Sequence, residues 1–329
     1  MLFTGTSHRR HRPLSILMAA LVVAASACSD QEASVETERT GTPVIVVTYT
    51  VLGSLVRDAV GDAAEVRVLI PNGSDPHEWE PSAKDIEAVN NADLIVRNGL
   101  DLEAGLTDAL DTAADDGVAT FVATDHITVR TIGAGEAGSP DEHGDEHGDE
   151  HGDEHGDEHG DGTEDPHLWM DPLTLRDVIT ALGPVLAEAG IDAAAGITRV
   201  EASLTDLDDT VRTILSVVPG ANRKLVTGHE SLGYFADRYD FELIGAIIPS
   251  LTSQAEVSSG DLADLSQRIE EAGVQAIFTE IGTSPAVAEA IGAETGAQVV
   301  ELASHNLPDD GSYASFMTGN ADKIAAALA

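Results

Sequence analysis

A chain of 329 residues, 42% of them hydrophobic, is long enough for one large domain or two medium ones and apolar enough to build their cores. Its 17 Lys plus Arg stand against 58 Asp plus Glu, a formal net charge of -41 that excludes nucleic acid and anionic lipid headgroups as partners and favours cations. A single cysteine excludes a disulfide framework.

The amino terminus reads as an export signal over residues 1–28. Arg9, Arg10, His11 and Arg12 are followed by an apolar run from Leu14 to Ala27 that is too short to span a bilayer comfortably, and Ala25, Ser26 and Ala27 precede Cys28. Cys28 stands where a lipoprotein signal places its lipidated residue, although Ala25 replaces the usual Leu. A lipid anchor at Cys28 with residues 29–42 as a flexible tether is the expectation.

Beyond the tether, short β-rich runs alternate with helical patterns, which predicts an α/β fold of mainly parallel sheets flanked by helices. An N-terminal lobe over residues 43–189 has strands at 44–48, 65–70, 93–97 and 119–123, and helices at 51–60, 81–91, 102–114 and 172–189. Within it, residues 126–165 form a His/Asp/Glu-rich loop. From Asp141 the unit Asp-Glu-His-Gly repeats, with His143, His147, His151, His155 and His159. A Gly in every unit and dense like charge oppose a helix, so the segment reads as a disordered, weak and exchangeable metal sponge. The pattern H-x-x-E-H inside it has the wrong context for a zinc protease, which needs both ligands on one helix.

A linking helix is predicted within residues 190–218, bounded by Gly190 and by Pro219-Gly220. The C-terminal lobe, residues 219–329, repeats the strand and helix alternation. Its strands are at 224–227, 241–247, 274–279 and 298–302, and its helices at 231–238, 258–272, 285–295 and 313–328.

Four histidines sit in four separate motifs: Asp75-Pro76-His77-Glu78-Trp79, Asp165-Pro166-His167-Leu168-Trp169, Gly228-His229-Glu230-Ser231 and Ser304-His305-Asn306. Each lies beyond a strand end or at a loop-to-helix junction, where functional residues collect, and two come from each lobe. The ligand type, imidazole with few oxygens, argues for Zn2+ over manganese, magnesium or calcium. Glu230 and Glu280 are placed to orient these rings from behind. His126 is the remaining histidine outside the signal and the repeat, and it carries no assigned role.

These motifs resemble those of the solute-binding lipoproteins of bacterial ABC importers for zinc and manganese, the zinc-uptake and adhesin-lipoprotein group. The likeness runs from Thr42 to Ala329 and includes Asp75 to Ser82, Asp165 to Pro172, Gly228 to Phe235, Ile277-Phe278-Thr279-Glu280 and Gly311-Ser312-Tyr313. The resemblance implies two lobes bridged by a rigid helix, a metal between them, and His77, His167 and His229 as ligands. It also implies zinc, since zinc-type members carry His at the third position where manganese-type members carry Glu. At the fourth position many relatives supply Asp; here His305 stands there, with Glu301, Asp309 and Asp310 as the competing donors.

The expected function is a high-affinity extracytoplasmic zinc carrier, not an enzyme. As a monomer it would deliver the ion to the permease and ATPase subunits of an ABC importer. Alternatives are a manganese-binding adhesin or buffer lipoprotein and, far behind, a zinc hydrolase. A hydrolase needs an open coordination position, and His229-Glu230 fails as H-E-x-x-H because Gly233 occupies the last place.

Overall fold

The computed structural model describes residues 41–132 and 163–329. Cys28, the signal and the histidines of the repeat lie outside the described residues, as does all but the end of the tether.

Residues Thr42–Ala329 form one compact unit containing two similar α/β lobes. The first has strands β1 (Val44–Val47), β2 (Glu65–Val68), β3 (Leu94–Arg97) and β4 (Thr120–Val122), with helices α1 (Thr50–Val60), α2 (Ala83–Asn90) and α3 (Thr107–Asp115). All pairings are parallel, in the order β2-β1-β3-β4. The central strands explain why. Val44-Ile45-Val46-Val47 and Leu94-Ile95-Val96 are apolar on both faces, as strands covered by helices on both sides must be. Edge strand β2, Glu-Val-Arg-Val, is only partly buried and carries charge, which discourages pairing with another chain.

Helix α4 (Pro172–Glu188) follows, with Asp171 capping Leu173 N–H and Pro172 in the first turn, and α5 (Ala194–Leu215) runs back along it. The second lobe then adds β5 (Lys224–Thr227), α6 (Gly233–Tyr239), β6 (Glu242–Ala246), α7 (Ser259–Ala272), β7 (Ala276–Thr279), α8 (Pro285–Thr295), β8 (Gln298–Glu301) and α9 (Tyr313–Leu328). Its sheet order, β6-β5-β7-β8, repeats that of the first lobe. Capping boxes at Ser82/Asp85 and Ser258/Asp261 start α2 and α7, and left-handed Gly273 and Gly296 end α7 and α8. No helix among the described residues is long and apolar enough to cross a membrane.

Helix α5 packs on α1 in one lobe and α9 in the other, and a single apolar cluster runs through it from Val46 and Leu52 to Phe235 and Phe316. The approach to α1 is close enough to require glycine. A Cβ on Gly196 would lie 1.8 Å from the Ala59 carbonyl oxygen. Gly196→Ala is therefore expected to cost about 2–3 kcal/mol and lower the melting temperature by roughly 3–5 °C, in a thermal denaturation scan, despite alanine's better helix propensity.

Two segments depart from expectation. The helix predicted from residue 102 begins late: a 3-10 turn occupies Ala104–Leu106 and α3 starts at Thr107. The cause is the preceding loop, where Leu100 and Asp101 take φ of 54° and 55° and the buried Glu103 carboxylate accepts from Asn98 N–H and Thr48 Oγ1, each at 2.6 Å. The segment predicted as a disordered loop, residues 126–165, is ordered at both ends, while residues 133–162 lie outside the described residues. Thr131 pairs antiparallel with Glu164, Ile132 N–H donates to Thr163, and Asp165 N–H donates to Arg130, closing a neck at the base of the segment.

Candidate metal centre

The two Asp-Pro-His motifs make the same turn. In each, the aspartate Oδ1 accepts the histidine backbone N–H two residues on, at 3.0 Å for Asp75/His77 and 2.9 Å for Asp165/His167. The intervening proline pre-sets the backbone, so the tripeptide aims its ring locally. The Pro166 carbonyl is held by Asn98 Nδ2 at 2.9 Å, at the end of β3, which docks the second turn against the first sheet.

His229 and Glu280 follow β5 and β7, neighbours at the point where strand order reverses in the second sheet. Gly228 permits the crowding there, since a Cβ would lie 2.0 Å from Thr283 Oγ1. His305 follows β8. Its loop is tied to the first lobe by Trp169 Nε1 on the Ser304 carbonyl at 2.7 Å, and by the Asn72 side-chain amide, which both donates to and accepts from the Leu307 backbone.

The structure thereby brings His77, His167, His229 and His305 together, one ring nitrogen from each lying within 4.8 Å of the others. His167 Nε2 lies 3.3 Å from His77 Nε2 and 3.1 Å from His229 Nε2. His167 and His229 are fully buried, His305 is 2% exposed and His77 6%.

Three of the four far nitrogens face a polar partner. His167 Nδ1 is 2.8 Å from Asp165 Oδ1, His229 Nδ1 is 2.6 Å from Glu280 Oε1, and His305 Nδ1 is 2.8 Å from Ser304 Oγ. Each contact leaves Nε2 facing the cluster, and buried His305 Nε2 has no hydrogen-bond partner. Ser231 Oγ donates to the Glu280 carboxylate, bonding both oxygens at 2.9 and 2.8 Å, and His229 N–H adds a third contact at 3.0 Å.

Burial pushes His77 down to about 4, with His229 adding to the shift, and pushes His167 and His305 well below the ordinary histidine value. These three rings are neutral at physiological pH, as ligands must be. His229 is the exception: burial pushes its ring down, but the Glu280 carboxylate beside it prevails and the ring's pKa is raised. Burial would likewise raise Glu280; the His229 charge and hydrogen bonding overcome that and hold it down at about 2. Asp165 is pushed up to about 6 by burial.

Of the two carboxylates anticipated behind the rings, Glu280 contacts His229, whereas Glu230 is half-buried and its backbone N–H donates to Ser250. Glu301, Asp309 and Asp310 are exposed, and Asp310 instead accepts from Ser312 N–H and Ser315 Oγ at the start of α9. His126 is exposed and stacks on Phe121. Ser231, Asn98, Ser253 and the motif aspartates also support the site, although residue type alone does not mark them. The repeated Asp two residues before each His was the available signal for Asp75 and Asp165; Ser253 has none.

The chain matches the model of the family "zinc-uptake complex component A periplasmic" over residues 45–327. It is 29% identical over 294 residues to the zinc-binding lipoprotein AdcA of Streptococcus pneumoniae, covering 87% of this chain but only 54% of that relative's length. It is 24% identical over 324 residues to the manganese-binding lipoprotein MntA of Halalkalibacterium halodurans, covering 95% of this chain and 97% of the relative. The fold matches the solved structure of the periplasmic zinc-binding protein TroA of Treponema pallidum with a TM-score of 0.71 and 24% identity, covering 88% of this chain and all of that one.

Proposed function

The chain belongs to the periplasmic family of zinc-uptake complex A components, and from that membership we propose that it is an extracytoplasmic zinc carrier serving an ABC-type importer. The zinc is cargo. His77, His167, His229 and His305 are its ligands, Glu280 orients His229, and a membrane permease with its ATPase receives the ion. A lipid anchor at Cys28 would hold the carrier, as a monomer, at the outer face of the membrane, and the histidines of the repeat would gather zinc weakly near it.

One observation carries this reading: four buried imidazoles converge with one nitrogen each inside 4.8 Å. Four imidazole nitrogen donors suit zinc and offer nothing to a hard cation that wants oxygen. A manganese carrier has a precedent in the MntA relative, but the donor set here contains no carboxylate. Four ligands also fill a tetrahedral site, leaving no position for the activated water a hydrolase needs.

Elemental analysis and metal competition test the reading. A chain lacking residues 133–162 is expected to retain a single zinc and to prefer it over manganese by on the order of a thousandfold, following intrinsic nitrogen affinities. His305→Ala should keep the fold and lose most of that affinity. Equal affinity for manganese, or zinc retention untouched by His305→Ala, would sink the four-imidazole assignment.

A further inference from the structure

The two Asp-Pro-His turns share their backbone geometry and differ in where the second half of the carboxylate goes. Asp165 commits Oδ1 to its own histidine, bonding both the N–H and the Nδ1 of His167, while Oδ2 lies 3.5 Å from Arg130 of the same lobe and packs against Gly233 of the other. Asp75 faces across the cleft: Oδ1 bonds His77 N–H, while Oδ2 accepts from Ser253 Oγ of the other lobe at 2.6 Å. Gly282, at φ 91°, makes room for this reach, since a Cβ there would lie 2.9 Å from Asp75 Oδ2. Beside it, Gln254 Nε2 donates to the His77 carbonyl.

His77 is also the one ligand that lines the cavity of about 370 Å³ at the mouth of the site, whose opposite wall includes Pro249, Ser250 and Thr252. The other three rings are behind it, essentially sealed. An ion leaving by this cavity passes His77, whose carbonyl and motif aspartate are held by Gln254 and Ser253 of the facing strip.

We propose that the Asp75–Ser253 hydrogen bond, assisted by Gln254 on the His77 carbonyl, is a latch that sets the rate of metal release, with Asp75, Ser253 and Gln254 as positioning residues acting through His77. The inference rests on the four-histidine carrier reading. Asp165 bonds its own histidine ring, whereas Asp75 accepts a direct hydrogen bond from a side chain of the opposite lobe.

Stopped-flow release tests it. The full chain, loaded with less than a single equivalent of zinc so that the tight site fills first, is mixed with excess chromophoric chelator. Ser253→Ala removes one hydroxyl donor to a carboxylate and is expected to speed dissociation by about tenfold or more. The association rate and the visible spectrum of the cobalt-substituted protein should not change, which separates release from ligand geometry. Gln254→Ala should shift the rate in the same direction by less. Dissociation within about twofold of the parent in both variants would overturn the latch while leaving the zinc site standing. An altered cobalt spectrum in Ser253→Ala would also overturn it, because Ser253 would then shape the ligand set. Failure of the parent chain to bind zinc would remove site and latch together.

Discussion

His167→Ala is expected to weaken zinc binding by roughly 10²–10³-fold in a chelator competition assay, the largest effect of any single substitution in the chain. His167 is the centre of the cluster, with its Nε2 nearest to those of both His77 and His229. A closed four-ligand zinc site binds with ~10–16 kcal/mol, so one ligand accounts for roughly 3–4 kcal/mol. Full burial lets no solvent molecule replace the lost nitrogen without first opening the cleft. The metal-free chain should still fold, because the Trp169 and Tyr313 contacts that dock this segment do not pass through the ring: Trp169 Nε1 holds Ser304 O, and Tyr313 Oη donates to Trp169 O at 2.6 Å. His126→Ala, outside the cluster, should bind zinc as the parent does. Parent-like affinity in His167→Ala would remove this residue from the site.

The second large effect is a change in pH dependence. Zinc must displace the proton that Glu280 helps His229 to hold, whereas His77, His167 and His305 are already neutral near pH 7. Below the raised His229 value the apparent affinity should therefore fall about tenfold per pH unit, and above it the curve should flatten. A further steepening belongs near pH 4, where His77 protonates. Glu280→Gln removes the anion that orients His229, with an expected loss of about 10–100-fold at pH 8. The same change lets burial lower the His229 value, moving the knee of the curve to lower pH. The deficit of the variant should thus narrow as the solution is acidified. Parallel curves for the two proteins in a pH series of zinc titrations would mean that Glu280 does not act through His229.

Much of this site was legible from residue types alone, and the reasons are local. The Asp-Pro-His turns carry their own geometry in three consecutive residues, and Gly228-His229 follows an apolar strand whose end is easy to place. Strands with apolar residues on both faces and helices with capping boxes declare their boundaries, so most elements start and stop within a residue or two of expectation. The late start of α3 was not legible, because it depends on Glu103 reaching Thr48, 55 residues earlier. The choice of Glu280 over its competitor beside His229 depends on β5 and β7 being neighbours, a matter of strand order that no periodicity encodes. Ser253 is likewise an ordinary loop serine until the lobes meet. His305 falls between: its type was suggestive, but only the Asn72 and Trp169 contacts bring its loop to the cluster.

In the proposed carrier the cargo is held by four imidazoles and nothing else. Zinc K-edge absorption spectroscopy on the chain lacking residues 133–162, loaded with a single equivalent of zinc, measures that directly. Four nitrogen scatterers are expected at about 2.0–2.1 Å with the outer-shell pattern of imidazole rings. A carboxylate or water oxygen in the first shell, or a coordination number of five or six, would contradict it.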